Sequence, residues 1–417
     1  MELSFLLPIL VSAMGAYMLF KLRFFFIAHP IKTARRFVSS LRKRESRRSF
    51  CLALAGTLGV GNIFGVAMGI MIGGAGSVFW LFLSSFFAMV IKYSETLLVF
   101  DNIRSGGGMA AAIPNIFSRF GRIIAPLYAA FTVTLALLMG SAMQSAAVVD
   151  VAEKMLLLMP EISALILVVL FLPSILGGAK KIESITEFLI PFTTIIYIIL
   201  SFLIIFRNIS SFPSAINSIL SSAFSPGGIL GGAFSGASFV AVKEGFARGI
   251  LSNEAGVGTS ALAHSRERER SPDTAGLFGM CEVVFDTGIL CMLTALVILI
   301  SPIDITAFAT PMSLVLAAFT TTLGEWSGYI LTALILAFAY STIICWYYYG
   351  SECCAIYFPR LKKIYDFAFP AFICISSYIS GEALLYLTDT TLFFMSLITL
   401  AAIFKKRERI KELSTLK

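Results

Sequence analysis

"LAGTLGVGNIFGVAMGIMIGG" (residues 54–74) is apolar enough to sit in a bilayer, yet Gly59-Val60-Gly61-Asn62 falls near its start. Glycine inside a helix costs about 1 kcal/mol against alanine, and a side-chain amide in hydrocarbon costs more. A spanning helix that accepts both penalties at one depth is predicted to be unwound there. Unwinding frees N–H and C=O groups within the membrane, which is tolerable only where they face protein or a cavity. Freed amides at the start of the outer half-helix suit a carboxylate, and freed carbonyls suit an ammonium or a bare sodium ion. Glycine permits the dihedrals and lets a ligand approach the backbone, while Asn62 adds a donor and an acceptor. Close helix packing, read from the four-residue spacing of Gly61, Gly65, Gly69 and Gly73, accounts for the last three. It does not account for Gly59 and Gly61, two apart beside Asn62.

The rest of the chain supplies the membrane around this segment. Of 417 residues, 58% are hydrophobic and 13% charged, where a soluble domain carries nearer a quarter charged. Apolar stretches of roughly 17–25 residues predict eleven helices, near 3–20, 50–72, 77–99, 123–149, 161–177, 185–206, 226–246, 275–301, 326–349, 364–380 and 383–404. The opening residues have an acidic start and no basic n-region, so they read as a true first span. Assigning connectors alternately to two sides puts 30 of the 32 Lys and Arg on one side, leaving Lys154 and Arg207 on the other. By the positive-inside rule the N-terminus lies outside and the C-terminus in the cytoplasm. The net charge of +8 is therefore an orientation signal, and no basic soluble domain exists to bind nucleic acid. The seven cysteines, all in or beside apolar segments, read as free thiols. His29 and His264 flank basic loops and read as solvated.

Spans 2–6 (50–206) and spans 7–11 (226–404) form two groups of five, so they enter the membrane from opposite sides. Around them lie an extra first helix with a basic loop (1–49), an external connector (207–225) and a basic tail (405–417). Span 7 also carries glycines, in Gly231-Gly232-Ala233-Phe234-Ser235-Gly236, and a second interruption is expected there. Glycine-interrupted segments at matching positions of two inverted halves point to a transporter binding site.

The stretches "LAGTLGVGNIFGVAMGIMIGGAGSVFWLF", "GFARGILSNEAGVGTSALAHS" (245–265), "DTAGLFGMCEVVFDTGILCMLTAL" (273–296) and "FAYSTIICWYYYG" (338–350) resemble the alanine/glycine:cation symporter family. Members are secondary carriers that move small neutral amino acids with sodium or protons. The resemblance implies an all-α, leucine-transporter-type fold with one helix before a five-plus-five inverted repeat, placed in a bacterial-type inner membrane. The chain departs from the family at Val60, where a threonine is usual, and at Ala146, where an asparagine is usual.

The expected site follows. Substrate carboxylate is placed on the amides near Gly61 and Asn62, and the ammonium on carbonyls near Phe234, Ser235 and Gly236. Gln144, inside span 4, is either a pocket residue or an interhelical hydrogen bond. The resemblance makes Thr342 and Trp346, one turn apart, pocket residues, with Trp346 as a lid. It also implies a sodium ion held by Ser341, Thr342 and carbonyls of the residues leading to Thr57. Asp286, with Glu282 one turn before it, is an ionisable group inside an apolar run and a coupling candidate. Asn253 and Glu254 are expected to cap helices or gate the inner side, and Lys92 with Glu95 to form a packed ion pair. No enzyme constellation or nucleotide loop is present, and no cofactor beyond the coupling ion is implied. The partners implied are the lipid bilayer, a small neutral amino acid and a cation. The rival readings are a uniporter or channel, and a transport-inactive receptor on the same fold.

Overall fold

The structure, a computed structural model, describes residues 3–103, 106–224, 236–265, 271–378 and 381–414, and these are helical with no strand among them. Among the described residues, seven helices are long and apolar enough to cross a membrane. The first helix, α1 (Leu3–Lys21), is followed by a short amphipathic α2 (Pro30–Ser40). The expected break then occurs where the glycines stand: α3 (Arg44–Thr57) ends, residues 58–60 are non-helical, and α4 (Gly61–Gly73) begins. A long α5 (Gly76–Asn102) and a short α6 (Gly108–Phe117) precede α7 (Gly121–Leu137), which continues through a π-helical turn (Leu138–Ala142) into α8 (Met143–Leu156). The first half closes with α9 (Pro160–Leu176) and α10 (Gly178–Arg207).

A short α11 (Phe212–Ala223) leads to the second half. There α12 (Gly236–Asn253) runs without interruption, residues 254–259 are non-helical, and α13 (Ser260–His264) resumes for one turn. Next α14 (Pro272–Val283) passes through a second π-helical stretch (Val284–Cys291) into α15 (Met292–Ile300). A short α16 (Pro311–Leu323), the long α17 (Glu325–Tyr357), α18 (Lys362–Ile375), α19 (Gly381–Lys405) and a tail helix α20 (Arg407–Leu413) complete the chain.

The interruption expected at residues 231–236 falls almost wholly outside the described residues, and a break that the sequence reading did not single out is present further along. Phe234 and Ser235 lie outside the described residues, and Gly236 is the first residue of a continuous helix. The break falls at Glu254–Thr259, where Glu254, Gly256 and Gly258 all have positive φ. Glycine tolerates that region freely and glutamate does not, so Glu254 is a strained backbone position. Lys243, at the end of the expected seventh span, and Arg248, just beyond that span's expected end, both belong to α12. Arg248 is paired there to Glu244 at 3.0 Å, which shelters both charges inside the helix bundle.

The broken α3–α4 pair is at the centre, with Ala55, Gly56, Thr57, Leu58, Gly59 and Val60 all buried. Helix α5 packs on α12 and α14, and α17 packs on α3, α7 and α8. The periphery is apolar and bare: Phe188, Phe192, Ile195, Ile199 and Phe206 project from one side of α10, each more than half exposed. Such a face is stable in hydrocarbon and a liability in water. Six cysteines are buried and free; Cys374 is exposed.

Candidate functional site

Each break replaces lost backbone bonds with specific side chains. At the first, the N–H of Val60 would ordinarily donate to the Gly56 carbonyl. It donates instead to Gln144 Oε1 at 3.0 Å, and the Gly56 carbonyl accepts from Trp346 Nε1 at 3.3 Å. The Gly59 amide folds back to Thr57 O (2.8 Å), which leaves the carbonyls of Ala55 and Leu58 without their i+4 amides. The amides of Gly61 and Asn62, first in α4, have no acceptor. These are the positive end of a half-helix, with open space around the Gly61 Cα.

At the second break the amides of Ala255 and Gly256 turn away from α12. Ala255 N–H donates to Asn253 Oδ1 (3.0 Å) and Gly256 N–H to Glu95 Oε2 (2.9 Å). The carbonyls of Leu251 and Ser252 are thereby stripped of i+4 partners. From the opposite side, Tyr128 and Thr399 hydroxyls donate to Val257 O at 2.6 and 3.1 Å, pinning the non-helical residues.

One cavity of about 520 Å³ touches both breaks. Gly56, Thr57, Gly59, Val60 and Gly61 contribute from the first and Leu251, Ser252 and Glu254 from the second. Gln144, Met139, Met143, Ala146 and Ala147 form the wall on α7–α8 and the π-helical turn between them. The cavity continues past Phe64 toward Asp150, Thr310, Pro311 and Leu384. Few polar groups on apolar walls is the usual build of a small-molecule site.

Of the sequence-expected residues, Thr57, Gly61, Gln144 and Glu254 line this cavity. Trp346 is fully buried behind the first break, so it braces the Gly56 carbonyl and is not positioned as a lid. Thr342 Oγ1 stands against Gly59, close enough that a Cβ there would lie 2.9 Å away. Ser341 and Thr342 hydroxyls donate to Phe338 O (2.8 and 3.0 Å), and Thr57 Oγ1 to Leu54 O (3.4 Å). Back-bonding of this kind uses their protons and leaves oxygen lone pairs available.

Asn62 points away from the cavity. Its Nδ2 donates to Asp286 Oδ1, and its Oδ1 is buried without a partner. Asp286, in the second π-helical stretch, also accepts from Ser252 Oγ (2.9 Å) and Thr287 Oγ1 (2.7 Å). Asn253 Nδ2 reaches Gly249 O (2.6 Å) and Thr287 Oγ1 (3.1 Å), so it caps α12 and ties it to α14–α15. Asp286 thus links the start of α4 at the first break to the C-terminal end of α12.

A buried ionic network below the breaks was only partly legible in sequence. Lys92 donates to Ser260 Oγ and lies 3.5 Å from Glu282 and 3.9 Å from Glu95. His264 Nε2 meets Glu282 Oε1 at 2.6 Å. All four ionisable side chains are fully buried. His264 is therefore no solvated loop residue: it is the foot of α13, sealed against α14. Lys92 is shared between two carboxylates instead of belonging to Glu95 alone. The signal available from sequence was the ionisable residue inside an apolar run, applied to Glu282 but not to the histidine 18 positions before it.

These features agree with what the chain is similar to. It is 32% identical to an uncharacterized transporter of Haemophilus influenzae, over 97% of this chain and 91% of that protein. The sodium/alanine symporter AgcS of Methanococcus maripaludis is 32% identical, over 72% of this chain and 68% of that one. Among solved structures, Mhp1, a nucleobase-cation-symport-1 family transporter, shares the fold at a TM-score of 0.56 and 11% identity, over 89% of this chain and 81% of that one. An Eremococcus coleocola manganese transporter does so at 0.53 and 14%, over 86% and 76%. The model of the sodium:alanine symporter family matches residues 1–413, and the chain belongs to that family.

Proposed function

We propose that the protein is a sodium-coupled symporter of a small neutral amino acid such as alanine or glycine, working by alternating access across a bacterial-type inner membrane. The observation that carries this reading is the pair of facing interruptions on one cavity. The substrate carboxylate takes the two free amides at Gly61 and Asn62. Its ammonium takes the stripped carbonyls of Leu251 and Ser252 at the second break. Gln144 holds the first break open by satisfying Val60, and its remaining amide edge faces the bound solute. Sodium is assigned to the bare carbonyls of Ala55 and Leu58 together with the hydroxyl oxygens of Ser341 and Thr342 on α17, a choice supported by Thr342 Oγ1 standing against Gly59. Both halves of the fold then share a layout, helix–break–half-helix followed by four further helices, that fits a five-plus-five inverted repeat.

Coupling requires that sodium favour the state competent for substrate, because a ligand with equal affinity for two states shifts neither. Sodium tightens the first break from behind, and the substrate carboxylate engages the same break from in front. With the N-terminus outside, the cavity opens outward past Asp150 and Thr310, and α13 closes it below. Uptake of labelled alanine into proteoliposomes, with and without an inward sodium gradient, tests the reading. Accumulation that needs the gradient supports it. Equilibration without accumulation indicates a uniporter, and no uptake of any small neutral amino acid sinks the carrier.

A further inference from the structure

Helix α1 stands before the two groups of five and packs on α5, α12 and α19. Where it meets α12 and α19 there is a second cavity, of about 220 Å³, at the side of the bundle. Its lining is charged: Lys243, Glu244 and Arg248 come from α12 and Asp389 from α19, with Leu7 and Leu392 beside them. Leu251 lines both this cavity and the central one.

The ion pair on its wall is only half used. Arg248 Nε and Nη2 both donate to Glu244 Oε2, at 3.1 and 3.0 Å. Among the described residues, Arg248 Nη1 has no acceptor and Glu244 Oε1 has no donor. Both stems are fixed from behind by α4, since a Cβ at Gly69 would meet Arg248 Cγ at 3.3 Å and one at Gly73 would meet Glu244 Cβ at 3.1 Å. Two cations and two carboxylates leave the lining with no net charge. A lone anion or a lone cation would add an uncompensated charge at low dielectric, whereas a zwitterion adds none.

The cavity has an apolar continuation. One turn further along α1 begins a groove of about 470 Å³, in which Leu10, Met14 and Tyr17 face Leu397, Leu400 and Phe404 of α19. These residues recur every three or four positions, so each set forms one stripe on its helix. The Tyr17 and Phe404 rings, with centroids 6.1 Å apart, stand at the far end, and the Lys21–Glu408 pair lies beyond them. From Leu7 to Tyr17 a helix rises about 15 Å, half of a hydrocarbon core about 30 Å thick. A charged pocket in line with an apolar groove one leaflet long has the outline of a single phospholipid. A free amino acid would use the pocket and leave the groove unexplained.

We propose that α1, α12 and α19 hold one phosphatidylethanolamine molecule, in the leaflet nearer the N-terminus of α1. Its phosphate lies on Lys243 and Arg248 Nη1, its ammonium on Glu244 Oε1, and one acyl chain in the α1–α19 groove. An ethanolamine ammonium has three N–H donors for a carboxylate, and choline has none. Phosphatidylglycerol brings a net negative charge that the neutral pocket leaves unmatched. The lipid thereby backs the helix that carries Leu251 into the central cavity.

The test places the full-length protein in phosphatidylglycerol nanodiscs containing a trace of phosphatidylethanolamine with a photoreactive diazirine in one acyl chain. Illumination is followed by peptide mapping. Labels are expected to concentrate on residues 10–17 and 397–404, several-fold above the bare face of α10. Unlabelled phosphatidylethanolamine should compete about tenfold better than phosphatidylcholine or phosphatidylglycerol, the value of one charge-assisted hydrogen bond. Labels spread evenly over α1, α19 and α10, or equal competition by the three lipids, overturn the proposal. Chain-to-chain crosslinks through the same stripe would assign the groove to a second copy and overturn it as well. Lys243→Gln is expected to lower groove labelling about tenfold, and unchanged labelling in a monodisperse variant overturns the headgroup assignment. Should Lys243→Gln not remain monodisperse, Ala13→Phe fills the groove at an exposed position and leaves the charged pocket intact. Labelling there should fall to the level of α10, and labelling at the wild-type level overturns the proposal. None of these readouts needs transport, so the lipid site and the carrier reading fail separately.

Discussion

Gly140 leaves no room for a side chain, because a Cβ there would lie 2.2 Å from the Cβ of Trp346. The tryptophan is held against α7–α8 so that its Nε1 can reach the Gly56 carbonyl. Gly140→Ala should displace that ring, with an overpacking cost of about 1–3 kcal/mol. Detergent-solubilised Gly140→Ala is expected to melt below wild type and to lose most alanine uptake. Gly65→Ala, where nothing lies within 4 Å, is the matched control and should keep both. This contrast also refines the sequence reading of Gly65, Gly69 and Gly73 as one packing stripe. A Cβ at Gly73 would meet Ser77 and Glu244 at about 3 Å and one at Gly69 would meet Arg248 at 3.3 Å, whereas Gly65 faces open space. A second residue-scale consequence concerns Gln144. Gln144→Leu keeps the volume but strands the buried Val60 amide, an omission worth about 1–3 kcal/mol. Uptake should fall more than tenfold while membrane insertion, followed by fluorescence of a fused reporter, is unchanged. Retained uptake would mean that Gln144 serves only to hold α8 in place.

At the scale of elements, the first break was legible and the second was not, for a physical reason. In α3–α4 the glycines and Asn62 interrupt an otherwise apolar run, so the polar group announces the depth of the site. In the second half the apolar, glycine-rich residues 226–238 drew the expectation by the same pattern, while the break among the described residues stands in "NEAGVGT", whose polar residues read as a loop. Helix α12 also carries Lys243, Glu244 and Arg248, which hydropathy counts against a span; the Arg248–Glu244 pair inside the helix shows how the fold accommodates them. Side-chain partners far apart in sequence, such as His264 with Glu282 and Gly256 with Glu95, cannot be read from periodicity at all. They matter because α13 is only one turn long, and His264–Glu282 and Lys92–Ser260 tie it to α14 and α5. Lys92→Met leaves Glu95 and Glu282 without their ammonium, and breaking a buried pair from one side costs about 3–5 kcal/mol. The expected result is a loosened α13 and an inner side that opens more often. In a Cys374→Ser background, a cysteine placed at Leu262 should react with a membrane-impermeant thiol reagent, applied from the inner side, several-fold faster when Lys92→Met is also present. Equal rates would show that α13 is held by packing alone.

Across the whole molecule, the amphipathic α2 and the tail helix α20 close over the same end of the bundle. Arg36 of α2 pairs with Asp273 at 2.6 Å, and Tyr93 bonds Asp273 and Ser414 together. Arg409 of α20 grips Asp101 with two hydrogen bonds of 2.9 and 3.1 Å, and Lys21 holds Glu408 at 2.6 Å. Basic residues that sequence reads only as an orientation signal thus also fasten the tail to α1, α5 and α14. On the proposed alternating-access cycle, opening the bundle at this end breaks these contacts. The hydrogen bond from Lys21 holds the Glu408 carboxyl below the ordinary glutamate range. A depressed carboxyl contributes fully above its ordinary value and loses that contribution as pH falls through the lowered one. The tail is accordingly expected to stay docked throughout the neutral range, with salt as the more useful lever. Exposed pairs contribute little singly, so Arg409→Glu should change the inward-opening equilibrium only a few-fold. That shift should appear as faster alanine exchange with poorer accumulation, and Asp101→Arg added to Arg409→Glu should restore wild-type behaviour. At 1 M salt the screening length falls to about 3 Å, so wild type should come to resemble Arg409→Glu while the variant itself barely responds. Exchange rates that respond to salt equally in both proteins would place the inner gate elsewhere than in this tail contact.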